Sequence, residues 1–457
     1  MGWCLRAEEP PCRSASRPTS MSGHDTQVQD CEAWPGLPVQ TGPDRRVADT
    51  GVHPTPQAAG APLVLLLSAA HPPDDIRVVR KEGAALAAAG WRVRHLAPAT
   101  AVAPAALDGV AIETFPRRPG WRGRLRALPG LARRAAASGA AVIHASEPDA
   151  WLAALLAARR CGARVVIDVH EHYPSRLDSR LPPALRPAAR AVLRLLCRLA
   201  GRAADAVVVA KDGLAADFGV PGRTVAVRNY AAPAAALLRP LPRPGAPHGP
   251  GLILVHAGAM TRGRGWPQML EAMALLPAAD RLRLIGRFTD GSGPECRARA
   301  AALGLSGRIE RLPWLPHPEA MALLAGADIA LVLFQPGEEN HRLALPHKLF
   351  DAMQAGLPVI APAFAEEVAG IVREAGCGLL VDSADPAAIA AAVESLRDPA
   401  RRAALGAAGR AAAAGRFGWA GEAARLVALY RRLAEPEPVP ASRAPARVGG
   451  APAGTGL

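Results

Sequence analysis

Two doubly wound α/β lobes, joined by a proline-rich linker, are the fold this 457-residue sequence predicts. Three observations carry the prediction. Short apolar runs alternate with helix-patterned segments, and strands this apolar imply parallel sheets covered on both faces. The alternation breaks once, at 231–251, where prolines crowd and periodicity is lost, and then restarts. The length suits two domains of ordinary size, and with half of the residues hydrophobic each can bury a core.

The elements follow in order. Residues 1–60 are rich in Pro, Gly, Ser and Asp without periodicity and read as a disordered extension, in which Met21 offers a second start. An amino lobe occupies 61–230. Its expected strands are Pro62–Ser68, Trp91–Ala97, Ala141–Ser146, Arg164–Val169 and Ala206–Ala210. Helices are expected at Ile76–Ala89 and Asp149–Arg160, stopped by Gly90 and Gly162. A carboxyl lobe occupies 252–416. Its expected strands are Leu252–Ala257, Arg281–Ile285, Ile329–Phe334, Pro358–Ala361 and Leu379–Val381, with helices near Pro267–Leu276, Glu319–Ala325 and Pro346–Ala355. A last helix falls at 417–434, and 435–457 reads as a disordered tail. Ligands of such sheets sit beyond the carboxyl ends of the strands, so two facing edges make a cleft.

The net charge of +14 attracts anions in general. Nucleic acid is not expected as a partner, because 7 Phe and 3 Tyr give little base-stacking surface and no zinc-finger or RNP pattern occurs. The 7 cysteines include no C-x-x-C pair, which fits neither a disulfide framework nor a zinc site and suits a reducing cytoplasm. No secretory h-region or membrane-length apolar run is seen, so a cytoplasmic location is expected.

Several chemistries lack their motifs. Neither lobe's first strand is followed by G-x-G-x-x-G, and no Walker A loop, G-x-S-x-G elbow or H-E-x-x-H helix occurs. The informative segment is Leu345 to Ile360. Pro346 suits the first turn of a helix and Gly356 its stop. The amino end of that helix faces the cleft and favours phosphate. Lys348 adds a cation there, and Asp351 can accept hydrogen bonds from ribose hydroxyls. From spacing alone the segment reads equally as an amphipathic helix with a solvated Lys and Asp. His170, Glu171 and His172 close a buried strand; such polar groups are more often structural, and two histidines alone do not make a metal site.

The Leu345–Ile360 segment resembles the donor-site signature of the retaining glycosyltransferase family 4 (the group 1 glycosyltransferases). The resemblance extends through Asp75, Arg77, Val78 and Arg80, Leu86 to Val93, Val142 to His144, Val166 to Glu171, and His256 to Gly265. It implies a GT-B fold of two Rossmann-like lobes, with the donor held mainly by the carboxyl lobe and the helix at 417–434 packing back on the amino lobe. It implies a retaining, metal-independent hexosyl transfer from a nucleotide-diphosphate sugar, with no cofactor. The acceptor would be a glycan, a lipid-linked intermediate or a small molecule, in cell-envelope or polysaccharide biosynthesis.

By residue, the resemblance puts Gly258, Arg262, Arg264 and Lys348 at the donor diphosphate and Asp351 at the ribose. His170 faces the donor sugar, so His170, Arg264 and Lys348 are the catalytic candidates. Arg262 compensates for Ala259, where the family has Arg. The family's first signature acid lies eight residues before Asp351, at Leu343, a departure. Glu338 and Glu339 are candidates to replace it, and Glu171 is a further candidate beside His170. Positive groups at the diphosphate would stabilise the charge that develops as the sugar–phosphate bond breaks. A nucleotide-sugar epimerase or hydrolase on the same fold, or a non-catalytic sugar-nucleotide binder, remains open.

A second pattern lies at 183–205. Arg186, Arg190, Arg194, Arg198 and Arg202 recur every four residues opposite a stripe of Leu185, Ala189, Val192, Leu196, Leu199 and Ala203. Such a helix suits the anionic inner face of a membrane, and with it a lipid-linked acceptor. It reads equally as a core helix with a solvated arginine face.

Overall fold

A computed structural model describes residues 60–100, 103–118, 120–231 and 251–435. The tails expected at 1–60 and 435–457, apart from Gly60 and Glu435, lie outside these residues. So does most of the 231–251 linker.

The amino lobe starts with β1 (Leu63–Leu67), a π-type helix Ile76–Gly83 that continues into α1 (Ala84–Ala88), and β2 (Arg92–Pro98). It continues through β3 (Ala106–Leu107), β4 (Val110–Phe115), α2 (Gly120–Ala137), β5 (Val142–Ala145), α3 (Pro148–Cys161) and β6 (Arg164–Val169). It ends with α4 (Arg186–Ala203), β7 (Ala206–Val209) and β8 (Thr224–Ala226). The strands form one sheet in the order β3-β4-β2-β1-β5-β6-β7-β8, parallel except at β3. Every residue of β1 is buried, as a strand with helices on both faces must be.

The carboxyl lobe runs β9 (Ile253–Ala257), α5 (Trp266–Leu275), β10 (Arg281–Ile285), α6 (Gly293–Ala302), β11 (Ile309–Leu312), α7 (His317–Ala325) and β12 (Ile329–Leu331). It goes on to α8 (Glu339–Arg342), α9 (His347–Ala355), β13 (Val359–Pro362), α10 (Glu366–Ala375), β14 (Gly378–Val381), α11 (Pro386–Glu394) and α12 (Pro399–Ala414). Its sheet is wholly parallel, in the order β11-β10-β9-β12-β13-β14. Strand order reverses beside β1 in one lobe and beside β9 in the other. These are the two switch points where open α/β sheets bind ligands.

The chain then returns to the amino lobe. On α13 (Trp419–Ala434), Trp419, Leu426, Leu429 and Tyr430 are buried in one cluster with Val64, Leu66, Val78 and Trp91. The two crossings between lobes touch: Ala231 donates to the Phe417 carbonyl (3.0 Å) and accepts from the Trp419 N–H (2.8 Å).

Strands β3, β4, β8 and β11 and helices α2, α6, α8, α10, α11 and α12 were not among the expected elements. Helix α2 carries Pro129 in its interior, which argues against a helix there. The carbonyl that proline leaves without its donor is that of Leu125, on the exposed side, where water can serve it. Helix α4 departs from the core-helix reading, because its apolar stripe is exposed rather than buried. Arg190 turns to Asp178 (Nε–Oδ2 2.9 Å) and Arg194 to Asp217 (Nε–Oδ1 2.8 Å). Val192, Leu195, Leu196 and Leu199 instead form an apolar ridge, each more than half exposed. Asp178 and Asp217 thus pair with two of the five arginines, which stay partly exposed. Among the described residues no helix is long and apolar enough to cross a membrane.

Candidate active site

The donor side is built at the β9 switch point. β9 ends in Gly258, at φ +109°, where a side chain would be strained. Lys348 lies across the loop, its Cε 3.5 Å from where a Cβ on Gly258 would stand. The loop closes in a short turn, Arg262–Arg264, capped by Thr261, whose side chain accepts from the Arg264 N–H at 3.1 Å. Gly265, at φ +83°, then starts α5 with its α-carbon against the Leu333 carbonyl, where a Cβ would come within 2.3 Å.

Helix α9 points its amino end at the same place. Pro346 precedes it in extended conformation, and Lys348 lies in its first turn. His256, the fourth residue of β9, donates Nδ1–H to the Leu331 carbonyl (3.0 Å), which leaves Nε2 to accept from Lys348 Nζ (2.9 Å). Burial, reinforced by the Arg264 guanidinium, holds the Lys348 ammonium well below the ordinary lysine range. Burial and Lys348 hold His256 well below its own. Arg264 is half-buried and donates to the Ala259 carbonyl at 3.1 Å. Gly258, Arg264 and Lys348 therefore converge on one half-buried, cation-rich spot. Asp351 lies one turn further along α9, with Oδ1 at 3.0 Å from His317 Nε2 of α7.

Arg262 does not join them. Its side chain turns to Glu295 on α6 and lies 3.8 Å from Asp290, because the Asp290 carboxylate also accepts the Arg262 N–H (2.9 Å) and fixes the turn outward. Glu338 is exposed, 3.7 Å from His341, and Glu339 pairs with Arg342. Leu343, at the position of the departed acid, is only 5% exposed and packs in the amino lobe's core cluster. Beside it, Asn340 accepts the His172 N–H (2.8 Å), so the α8 segment joins the lobes.

The amino-lobe wall is a cluster of charged groups at the carboxyl ends of β1, β5 and β6. Glu147 accepts from the N–H groups of Ala69, Ala70 and His71 at 2.8–2.9 Å. His71 Nδ1 bonds Asp75 Oδ2 (3.0 Å), and its ring meets His170 edge-on at 4.9 Å. Burial works against the charged imidazole. The bond to Asp75 and the fields of Asp75 and Glu147 outweigh it and raise His71 to about 9. His170 Nε2 is bonded to Asp168. Asp168 in turn takes Arg77 (2.9 Å) and lies 3.5 Å from His144, which reaches Glu82 at 3.3 Å and the Tyr430 hydroxyl at 2.8 Å.

Glu171 points away to Arg176 (2.6 Å), and His172 to Asp217 (3.1 Å) and Ser175 (2.8 Å). The alternating His170 and His172 thus do not converge on a common point. Glu82, His144 and Asp168 do lie within ligating reach of one another, but the Arg77 guanidinium, 2.8 Å from Glu82, already sits between the two carboxylates. Across the lobes, Lys81 Nζ bonds Asn229 Oδ1 (3.1 Å) and His347 Nδ1 (3.3 Å) at the foot of α9.

Sequence reasoning gave no role to His71, Asp75, Glu147, Asp168, Lys81, His256 or His317. Asp75, Asp168 and His256 stand inside the stretches that carry the family resemblance, which was a signal. Lys81, Glu147 and His317 acquire partners only through tertiary contacts.

Two family models match this architecture lobe by lobe. The Glycosyl transferase 4-like domain matches residues 76–231, and Glycosyl transferases group 1 matches 251–398. The chain belongs to the group 1 glycosyltransferases. Among curated relatives, D-inositol 3-phosphate glycosyltransferase 1 of Catenulispora acidiphila is 34% identical over 207 residues, 42% of this chain and 47% of that protein. D-inositol 3-phosphate glycosyltransferase of Thermobispora bispora is 32% identical over 218 residues, 44% of this chain and 48% of that protein. The chain thus spans about half the length of the curated relatives it matches.

Solved structures share the GT-B fold of this family member over more of its length. Sucrose-phosphate synthase from Thermosynechococcus elongatus superposes with TM-score 0.64 at 22% identity, over 81% of this chain and 99% of its own. HepE from Anabaena, solved with UDP-glucose, superposes with TM-score 0.61 at 17% identity over the same shares.

Proposed function

We propose that this family member is a retaining glycosyltransferase that moves a sugar from a nucleotide-diphosphate donor, without a metal, to a glycan, lipid-linked or small-molecule acceptor. The observation that carries the reading is the convergence of Gly258, Arg264 and Lys348 on the amino end of α9 at the β9 switch point. Two cations, a helix amino end and a loop without a side chain match a diphosphate in charge and shape. Asp351, one turn on, suits a ribose diol. HepE's complex with UDP-glucose supports a uridine donor as the first to try.

In this reading the anomeric carbon–phosphate bond breaks with its electron pair leaving on the diphosphate. The acceptor oxygen bonds the anomeric carbon from the same face, and its proton passes to the departing phosphate. Arg264 and Lys348 stabilise the charge that grows on the leaving group. His170, oriented by Asp168, faces the sugar from the opposite wall. The curated relatives are named for a phosphorylated inositol acceptor, which makes a polar, phosphate-bearing acceptor the first class to test.

The α4 ridge supports association with an anionic membrane surface: Val192, Leu195, Leu196 and Leu199 are exposed beside the exposed Arg198 and Arg202. That arrangement suits a lipid-linked acceptor and a place in envelope or polysaccharide synthesis.

The test is a thermal-shift screen against nucleotide sugars, beginning with UDP-glucose, since a ligand of the folded form raises its stability by mass action. Turnover then follows with the identified donor. Lys348→Ala and Arg264→Ala are each expected to lower kcat/KM roughly ten- to hundredfold, the loss of one charge-assisted hydrogen bond. Wild-type kinetics in both variants, with the fold intact, would remove the donor from this part of the cleft. Donor binding without turnover on any acceptor would instead favour a sugar-nucleotide-binding role, a reading that the leucine at 343 keeps open.

A further inference from the structure

We propose that Lys211 is a specificity-determining residue for the transferred sugar, and that with Glu367 across the cleft it holds a pair of neighbouring hydroxyls on a neutral hexose. The inference rests on the transferase reading and names the class of sugar.

Lys211 stands just past the end of β7, on the carboxyl edge of the amino-lobe sheet. β7 runs in register with β6, Val209 beside Val169, and the Ala210 N–H donates to the Val169 carbonyl (2.9 Å). Carried forward, that register sets Ala210 beside His170 and Lys211 beside Glu171. The lysine is one strand over from the histidine placed at the sugar.

The Lys211 side chain is only 5% exposed, yet among the described residues its ammonium has neither a hydrogen bond nor an ion pair. The other two lysines of the chain are not left so. Lys81 is bonded to Asn229, Tyr230 and His347, and Lys348 to His256. An ammonium taken out of water without such partners is costly. Burial lowers Lys211 to about 8, against the fields of Glu367, Glu171 and Glu339.

The opposite side of the gap belongs to the carboxyl lobe. Glu367, in the first turn of α10, accepts the Gly213 N–H at 3.4 Å. A Cβ on Gly213 would stand 3.0 Å from Leu343 Cδ2 and 3.9 Å from Glu367 Oε1. The turn that starts at Lys211 thus meets both α10 and the connection between α8 and α9. Leu343 offers no polar group there. Three nearby acids are already taken, Glu339 and Glu366 by Arg342 and Glu171 by Arg176. Among the described residues Glu367 has no cation at ion-pair distance, and burial raises its carboxyl above the ordinary value.

A lysine ammonium only donates hydrogen bonds, and a carboxylate only accepts them. A ligand between Lys211 and Glu367 must accept on one side and donate on the other. A hydroxyl does both, and a vicinal diol serves both residues at once. A carboxylate on the sugar would satisfy the lysine but meet Glu367 and Glu171 with like charge. The Glu171 carboxylate acts on Lys211 and on Arg264 alike, so the lysine and the cations at the diphosphate lie along one stretch of the cleft.

Titration calorimetry on the full chain compares UDP, ADP and GDP with UDP-glucose, UDP-galactose, UDP-glucuronate, ADP-glucose and GDP-mannose. Lys211→Met removes the ammonium and keeps an unbranched apolar side chain, a change that buried sites tolerate. It is expected to weaken the best-bound neutral conjugate about tenfold or more, and to change affinity for the matching nucleoside diphosphate by less than about twofold. Glu367→Gln is expected to weaken the same conjugate in the same selective way. Equal losses for conjugate and nucleotide would make Lys211 a contact that closes the lobes, and no loss for either would leave it without a ligand; both results overturn the proposal. Tighter binding of UDP-glucuronate than of UDP-glucose, lost in Lys211→Met, overturns the neutral class. Binding of none of the three nucleoside diphosphates by the wild type removes the donor reading and this inference with it, a result distinct from nucleotide binding that ignores Lys211.

Discussion

Lys348 is half-buried beside Arg264, and both desolvation and that neighbour disfavour its charged form. In the proposed donor reading, a bound diphosphate would supply the missing negative charge and restore the ammonium. Donor binding should therefore take up a proton in the window between the depressed and restored values, and affinity should fall as pH rises through it. Calorimetry in buffers of different ionisation enthalpy reads the uptake; equal uptake by Lys348→Met would assign the proton elsewhere. His71 behaves in the opposite sense, since its carboxylate neighbours raise it to about 9. Asp75→Asn removes the first of these partners, and the His71 ring should then titrate at least about one unit lower by NMR. An unchanged titration would mean that Glu147 alone sustains the charge. Little of this was legible beforehand. Lys348 and Arg264 stood out because they follow carboxyl-lobe strands and match a family pattern, but the depressed lysine depends on how deeply α9 is packed. Arg262 shows the converse: its charge fits a phosphate loop, and only the fold reveals Asp290 and Glu295 beside it.

Helix α4 shows what periodicity does and does not determine. The four-residue recurrence marked an amphipathic helix, and the helix is there at Arg186–Ala203. Which of its arginines find partners depends on Asp178 and Asp217, residues outside the repeat that pair with Arg190 and Arg194. Two consequences can be measured. Leu195→Ser/Leu196→Ser/Leu199→Ser should weaken binding to anionic vesicles, with the fold retained because these side chains are exposed. Unchanged vesicle binding would leave the ridge without a membrane role. Arg190→Gln should matter little to vesicles and should change stability by less than about 1 kcal/mol, as a partly exposed ion pair does. Helix α2 was not expected from the sequence at all, and it carries Pro129 in its interior. The apolar β1, β6 and β9, by contrast, were plain from composition alone, because a strand covered on both faces has no polar side to disguise it.

The whole molecule is held by a return of the chain that sequence pattern supplies only as a terminal helix. Tyr430 of α13 reaches through the amino lobe to His144 (2.8 Å), within the buried group of Arg77, Glu82 and Asp168. Removing that hydroxyl leaves a buried imidazole nitrogen without a partner. Tyr430→Phe is expected to lower unfolding free energy by about 1–3 kcal/mol, measured by denaturant titration. A loss well under this range would mean that water replaces the hydroxyl.

The pairing of Ala231 with Phe417 and Trp419 has a mechanical consequence. Both connections between the lobes run through this one pair of hydrogen bonds, with Lys81 anchored to Asn229 beside them. Two strands fastened at a common point behave as a single axle: the lobes can swing about it, while sliding past one another would tear it. Separations between the lobes should then change in proportion to distance from Ala231. Spin labels at the far lip of the cleft would report a broad, ligand-sensitive spread of distances. A pair set close to Ala231 and Phe417 would report nearly the same distance in every state of the enzyme.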